Sequence, residues 1–469
     1  MNQKSKWYQK MPHIFVLLFM LILFSALLTW IIPAGEYNRQ PIEGSFAQAI
    51  IPDTYHSVDK NPANIMDIFT SILKGLNATS GVVFMILISG GMFYVITETG
   101  SLENGLGVML NKINKSNIPP IVVVWIITFL FSAFGIMVGP EIQIPFTVIA
   151  VSIALGLGYD PIVGLGMIIG GGYTGFAAAP INPSTIGTAQ IIGGLPYYSG
   201  VEFRWVFWIV STITTCIAIT IYANIVKKDP KRSYVYGIDT SGLGFSKSLD
   251  SYKLELKHKI VLFIFLILFF CFVVGPTKYH WYLNEMAACI IMAGLVSGYV
   301  CGFSTNEIIE KFLKGSSVMV MPAFTVGLGR AIQVVLDNGH VIDTIVYYVS
   351  KPLTHLGTYT VAFVLVLLQT FINFFIPSGS GQAAAVMPIM FPIGDMLGLT
   401  RQCNILAFQI GDGFSNMCIP TLGAVIAMCG LAKVPFEKWF KFAVKMVGVL
   451  MIVGTIFLFI AIKINWGPF

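Results

Sequence analysis

GFAAAPINPST (residues 175–185) and GDGFSNMCIPT (residues 411–421) each interrupt a long apolar run with proline, glycine and short polar side chains. Pro180 and Pro183 are three residues apart. Proline inside a helix removes one N–H donor and clashes with the carbonyl four residues back. Both stretches therefore read as breaks in helices, the first spanning Pro161 to Leu195 and the second Cys403 to Gly430. The two breaks also repeat one another. Gly170-Gly171-Gly172 lines up with Gly411-Asp412-Gly413, and Pro180 with Pro420. Further out, Asp67-Ile68 and Leu73-Lys74-Gly75 reappear as Glu307-Ile308 and Leu313-Lys314-Gly315. Thr99-Gly100 becomes Asn338-Gly339, and Glu202 and Trp205 find partners in Glu437 and Trp439 after a small gap. A repeat this long in an apolar chain points to a secondary transporter whose site lies where two halves meet.

The composition agrees. The chain has 469 residues, 56% of them hydrophobic and 11% charged, with a mean hydropathy of +0.79. Soluble domains carry about 25% charged residues. Several apolar runs are long enough to cross about 30 Å of hydrocarbon. The net charge of +6 falls in loops, so it reads as orientation and not as a nucleic-acid surface. Lys4, Lys6 and Lys10 before the first helix place the N-terminus in the cytoplasm, and His13 to Ala34 reads as a retained helix. The linker 227–259 carries eight Lys/Arg against four Asp/Glu, is the strongest inside signal, and divides the halves 1–226 and 260–469. Seven cysteines lie in or beside apolar segments as packing residues, without CxxC. The six histidines show no metal spacing, and no phosphate-cradling loop is present. GGGYTG (170–175) reads as close helix packing.

The pattern expects an all-α polytopic membrane protein of two inverted-topology repeats. Each half has an amphipathic interfacial helix (Asn64–Gly75, Ser304–Gly315), a span, a short amphipathic piece, a re-entrant hairpin and a discontinuous helix; one extra helix, Ile260 to Gly275, inverts the second half. The hairpin arms are Ile121–Ala133 with Phe146–Gly158, and Thr360–Phe374 with Ala383–Leu397. Four unwound segments are expected to converge: 134–145, 180–186, 375–382 and 411–421.

Candidate substrate-binding residues follow from that convergence: Glu141, Gln143, Asn182, Ser184, Thr185, Arg330, Ser378, Gly379, Ser380, Gln382, Asp412, Ser415, Asn416 and Thr421. Half-helix N-termini suit an anionic group, and half-helix C-termini and unwound carbonyls suit Na⁺ or an ammonium. No metal ligand set is assigned, but Na⁺ could sit near Asn182 and Asn416. Glu141 and Asp412 lie deep in apolar sequence, where a charge costs at least about 2.5 kcal/mol. They could meet a cationic substrate, a proton or Na⁺, or pair with Arg330, which could instead clamp a carboxylate. Glu98 and Asp337 read as solvated helix-end charges, and Asp160, Asp395 and Arg401 as interfacial. Channel and intramembrane-enzyme readings compete; the latter lacks a nucleophile–base or metal set.

The segments PINPST (180–185), GDGFSN (411–416), SGSGQ (378–382) and KMPH (10–13) resemble the C4-dicarboxylate anaerobic carrier family, in its YfcC-like branch, over nearly the whole chain. That resemblance implies the ion-transporter superfamily architecture, a homodimer in the bilayer, an elevator mechanism, no cofactor beyond a coupling Na⁺ or H⁺, and basic amino acid (arginine/ornithine-type) antiport at the cell membrane. The alternative it leaves is a Na⁺- or H⁺-coupled carrier of C4-dicarboxylates or other carboxylates. The tips GPEIQ and PSGSGQ depart from the Ser-Asn-Thr tips of related dicarboxylate carriers, which speaks against that alternative.

Overall fold

The computed structural model describes residues 14–41, 48–51, 53–116, 118–137, 139–196, 199–240, 243, 251–279, 281, 283–350 and 357–467. The N-terminal lysines, the KMPH segment and the end of the amphipathic stretch at Leu353 lie outside the described residues.

The first half runs α1 (Ile14–Ile31), α2 (Ile65–Ala78), α3 (Ser80–Glu98), α4 (Ser101–Lys115), α5 (Pro120–Met137), a 3-10 helix at Pro140–Phe146, and α6 (Thr147–Gly156). The broken helix follows as α7 (Pro161–Leu165), a π-helical turn at Gly166–Gly170, α8 (Gly171–Ala177), a second π-helical turn at Pro183–Gly187, and α9 (Thr188–Ile192); α10 (Val201–Lys228) closes the half. After α11 (Leu256–Tyr279), the second half repeats the order. It comprises α12 (Leu283–Val300), α13 (Thr305–Val318), α14 (Val320–Asn338), α15 (Ile342–Ser350), α16 (Thr358–Phe375), α17 (Gly379–Met396), α18 (Arg401–Ser415), α19 (Gly423–Leu431) and α20 (Phe436–Lys463). Among the described residues, α3, α10, α12, α16 and α20 are long and apolar enough to cross a membrane, and α13 with α14 forms a sixth candidate bent by 42°.

The packing repeats with the sequence. α3 lies along α13 and α2 along α14; α1 packs on α14 and α12 on α3. α5 packs on α8 as α16 does on α18, α6 meets α19 as α17 meets α9, and α10 meets α8 as α20 meets α18. Each of these contacts has a counterpart between the matching helices of the other half.

The repeated motifs have local physical causes. Asp67 and Glu307 are the third residues of capping boxes. Asn64 Oδ1 accepts from the Asp67 N–H at 3.0 Å while Asp67 accepts from the Asn64 N–H at 3.0 Å, and Glu307 accepts from the Ser304 N–H at 2.7 Å. Gly75 and Gly315 end the next repeated motif because backbones cross there. A Cβ on Gly75 would lie 2.8 Å from Ala331 N, and one on Gly315 would lie 2.9 Å from Gly91 Cα. α2 and α13 therefore lie lengthwise against the other half's arm, each leading after one residue into α3 or α14.

The chain is all-helical apart from two short ribbons in one loop: β1 (Gly35–Glu36) pairs with β4 (His56–Ser57), and β2 (Arg39–Pro41) with β3 (Gln48–Ile50). This loop docks on the second half through Arg39 and Asp343 at 2.8 Å, the Tyr37 N–H donating to Asp343 at 2.9 Å, and Tyr55 stacked on Tyr347 at 4.0 Å. The hairpin arms are not equal half-helices, since α5 and α16 each have 18 residues and α6 only 10. The irregular segments are also narrower than expected: α5 continues to Met137, α17 starts at Gly379, and α18 runs through Ser415. Glycine and serine lower helix propensity, but a packed apolar face overrides them. The linker also makes specific contacts. Ser233 donates to Asp160 at 2.6 Å, Ser152 donates to the Leu243 carbonyl at 2.8 Å, and Tyr252 donates to Glu103.

Candidate functional site

Glycines bring the irregular segments together. Gly171 and Gly172 on α8 face α5 and the first tip: a Cβ at Gly171 would lie 2.7 Å from the Thr128 carbonyl, and one at Gly172 would lie 3.0 Å from Gln143 Nε2. Gly413 presses α18 onto the end of α8, 2.5 Å from Ala177 Cα by the same measure. Gly379, the first residue of α17, lies among Thr185, Phe176 and Asp412, with Asp412 Oδ2 3.6 Å from its Cβ position. Asn182 donates to the Ile136 carbonyl at 3.1 Å, tying the first break to the first tip.

Asp412 is the sharpest feature of this cluster. It is 1% exposed, and neither carboxylate oxygen has a hydrogen-bond partner among the described residues. The N-terminus of α17 starts beside it and directs a partial positive charge there. A buried, unpaired carboxylate is costly, so it persists where a ligand or proton compensates it.

Along the irregular segments the polar side chains divide into open and committed groups. Thr185 is buried with Oγ1 unpartnered, and Gln143 is buried with both amide atoms unpartnered. Ser378 caps α17 by accepting from the Gly381 N–H at 3.4 Å, and Ser380 sits in that helix's first turn. Gln382 donates to Gln369 Oε1 at 2.8 Å but keeps its own oxygen free. Ser415 donates back to the Gly411 carbonyl at 2.8 Å. Asn373 on α16 donates to the Asp412 carbonyl at 2.7 Å, to Ser415 Oγ at 2.7 Å and to Asn416 Oδ1 at 2.8 Å. Those bonds hold the second break. Glu141 is half-buried on the 3-10 helix of the first tip. The side chain of Ser184 lies outside those described.

Arg330 and Thr421 stand apart. Arg330 donates to Gln333, one turn along its own helix, and forms no ion pair with Glu141 or Asp412. Thr421 is buried with Oγ1 unpartnered and lies against Gly329 of α14, whose Cβ position is 3.0 Å from Thr421 Cα. Asp160 is 8% exposed, caps the broken helix through the Val163 N–H at 3.1 Å, and accepts from Tyr222 at 2.6 Å. Asp395 and Arg401 pair at 2.9 Å on the surface, and Glu98 pairs with Lys311 at 2.8 Å.

Several residues of the cluster escaped the sequence reading. Arg204 is fully buried; it donates to Gln409 and, at 3.0 Å, to Gln402, and its guanidinium lies 4.8 Å from the Trp466 ring centre. Gln409 in turn donates to the Ala177 carbonyl at 3.2 Å and the Ala179 carbonyl at 3.0 Å, at the end of the first half-helix. The run Phe203-Arg204-Trp205 looks like an interfacial helix start, and only the matching of α10 with α20 singles Arg204 out. Asn373, Gln369 and Gln409 stood in the sequence as lone amides in apolar helices, a signal worth reading as break-holding donors. A separate cavity of about 980 Å³ lies between α3, α4, α6 and α13, lined by Tyr94, Glu98, Glu103, Ser152, Thr240 and Lys433 among others, and does not include the Asp412 cluster.

A family model described as C4-dicarboxylate anaerobic carrier matches residues 11–463. The chain belongs to this carrier family. It is therefore a multi-pass membrane transporter with a small-molecule substrate, and not an enzyme. Carriers related to it include the Escherichia coli (strain K12) protein named "Putative basic amino acid antiporter YfcC", 28% identical over 95% of each chain. A Haemophilus influenzae protein without an assigned activity is 27% identical over 99% of each. Among solved structures, the Alcanivorax borkumensis YdaH transporter aligns at TM-score 0.44 and 16% identity, covering 97% of this chain and 100% of that one. The Neisseria gonorrhoeae MtrF structure aligns at TM-score 0.43 and 16% identity, covering 96% and 94%.

Proposed function

We propose that this carrier exchanges basic amino acids of the arginine/ornithine type, with the buried Asp412 carboxylate receiving the substrate's cationic group. The observation that supports it is the pair of unpartnered Asp412 oxygens beside the α17 N-terminus. One carboxylate and one helix N-terminus within a few ångströms suit the two ends of an amino acid. The ammonium or guanidinium meets Asp412, and the α-carboxylate meets the free N–H groups of Gly379 and Ser380, with Ser378 and Thr185 alongside. Glu141 and Gln143 flank from the first tip. The similarity to the E. coli protein named as a basic amino acid antiporter supports the same substrate class.

On this reading the halves 1–226 and 260–469 are inverted repeats, the tips are re-entrant, and the chain works as a homodimer with its N-terminus in the cytoplasm. The hairpins and broken helices carry the site across as one body against arms built from α2, α3, α13 and α14, an elevator motion. Glycine-lined crossings such as Gly75 on Ala331 let those arms pack tightly enough to stay still. A coupling ion, Na⁺ or H⁺, is held at the unwound carbonyls beside Asn182 or Asn416, or on Asp412.

A second reading has its own support in the matched family's description: a C4-dicarboxylate or other carboxylate carrier, in which Asp412 takes the coupling ion and Arg330 or the α17 N-terminus takes the substrate. The test is counterflow in proteoliposomes preloaded with ornithine, following labelled arginine with and without a Na⁺ gradient. Accumulation without Na⁺ supports exchange of basic amino acids. Absence of accumulation, together with succinate uptake under a Na⁺ or H⁺ gradient, moves the assignment to the second reading. Oxidative crosslinking of a cysteine pair at Val326 on α14 and Gly423 on α19, which touch in the structure, is expected to stop counterflow reversibly if the site moves past the arms.

A further inference from the structure

The two breaks are not electrostatically equivalent. The last carbonyls of a half-helix carry partial negative charge and lack intrahelical donors, which makes them natural ligands for a monovalent cation. At the first break, two such carbonyls, Ala177 and Ala179, are already taken by both protons of one amide, Gln409 Nε2, at 3.2 Å and 3.0 Å. The amide cannot turn over. Gln409 Oε1 accepts from Arg204, so inversion would set the amide oxygen against two carbonyl oxygens and its NH₂ against a guanidinium. Arg204 is itself fixed by Gln402 at 3.0 Å and by Trp466, and Gln402 is anchored by donating to Ser199 Oγ at 2.7 Å. Arg204 is 0% exposed and has no ion pair among the described residues, so a whole positive charge stands behind Gln409. Among the described residues, the second break has no counterpart to this charge. Its clamp is the neutral amide Asn373, and three residues beyond Gln409 the same helix carries the uncompensated Asp412.

We infer that the Arg204–Gln409 pair is a built-in substitute for a cation at the first break, so that monovalent-cation binding by this carrier is confined to the second break and Asp412. Arg204 acts here as a positioning residue: it works through Gln409 and does not touch substrate. The inference rests on the reading of the breaks as ion sites, and it removes the Asn182 side from the candidates for a coupling ion.

The test uses purified full-length protein without substrate, so its outcome is independent of which amino acid or carboxylate is carried. Thermal melts are recorded in choline chloride with NaCl replacing it at constant ionic strength. Gln409→Ala bares the Ala177 and Ala179 carbonyls and is expected to gain a saturable rise in Tm with Na⁺ that the wild-type chain does not show from this break. Arg204→Met lets the amide invert and is expected to show a smaller gain of the same sign, and Arg204→Lys to return to the wild-type response. Whatever Na⁺ response the wild-type chain has is expected to vanish in Asp412→Asn. Unchanged Na⁺ titrations in a folded Gln409→Ala or Arg204→Met, or a wild-type response that survives Asp412→Asn, would overturn the inference. The Asp412 arm stands even where the Arg204 and Gln409 variants fail to fold.

Discussion

Arg204 and Trp439 occupy the same place in the two halves. The closing helices α10 and α20 are each 28 residues long and begin at Val201 and Phe436, so the fourth residue is Arg204 in one and Trp439 in the other. Both side chains are fully buried. Trp439 Nε1 donates directly to the Met417 carbonyl in the second break at 2.9 Å, and Arg204 reaches the first break through Gln409. Each half thus points a buried N–H donor from its last helix at its own break, one neutral and one cationic. Trp205, which the sequence repeat pairs with Trp439, is 40% exposed and has a different role.

Replacing Trp439 with Phe removes one donor and leaves the Met417 carbonyl unpaired. The expected loss is about 1–3 kcal/mol, read as a lower Tm in detergent.

Asn373→Ala is expected to be more damaging than its size suggests. The two protons of this amide are shared among three acceptors in the second break. At roughly 0.5–1.5 kcal/mol for each of the two protons, their loss should lower the Tm and abolish counterflow together. By contrast, Asp412→Asn breaks no hydrogen bond made by the carboxylate oxygens and should melt at or above the wild-type temperature, because an unpaired buried charge is removed.

The arm crossing makes a sharp glycine prediction. Gly315→Ala would place its methyl 2.9 Å from Gly91 Cα and should cost about 1–3 kcal/mol of stability. Gly448→Ala, on the same kind of helix but with nothing within 4 Å, should be neutral. Equal melting temperatures for the two variants would contradict the crossing.

Asp343 ties the loop 35–58 to the second half by accepting from Arg39 and from the Tyr37 N–H at 2.9 Å. Asp343→Ala is expected to raise amide hydrogen exchange across residues 35–58 while leaving exchange in α18 unchanged.

The sequence made the repeat, the breaks and the glycine packing at 170–175 legible, because each is written in residues with strong local consequences. Asp67 and Glu307 are capping acids, and Gly75 and Gly315 are backbone crossings; a repeat carried by such residues survives because geometry demands it. Asp412 was legible as a carboxylate in apolar surroundings. Helix ends were less so: Phe134–Met137 and Gly411–Ser415 stay helical because tertiary packing, not glycine content, sets where a buried helix stops. The loop ribbons were hidden in a polar stretch without alternation. Arg204 was hidden by position, since a basic residue near a helix start ordinarily snorkels to water. Its burial follows from Gln402, Gln409 and Trp466, contributed by segments 198 to 262 residues away.

The central claim is that Asp412 receives the substrate's cation. Its most direct test is arginine/ornithine counterflow by Asp412→Asn beside the wild-type chain, both reconstituted at matched density after confirming that the variant melts no lower than the wild type. The account predicts Na⁺-independent accumulation of labelled arginine by the wild-type chain and none above empty liposomes by the variant. Accumulation by Asp412→Asn at the wild-type rate and affinity would contradict it.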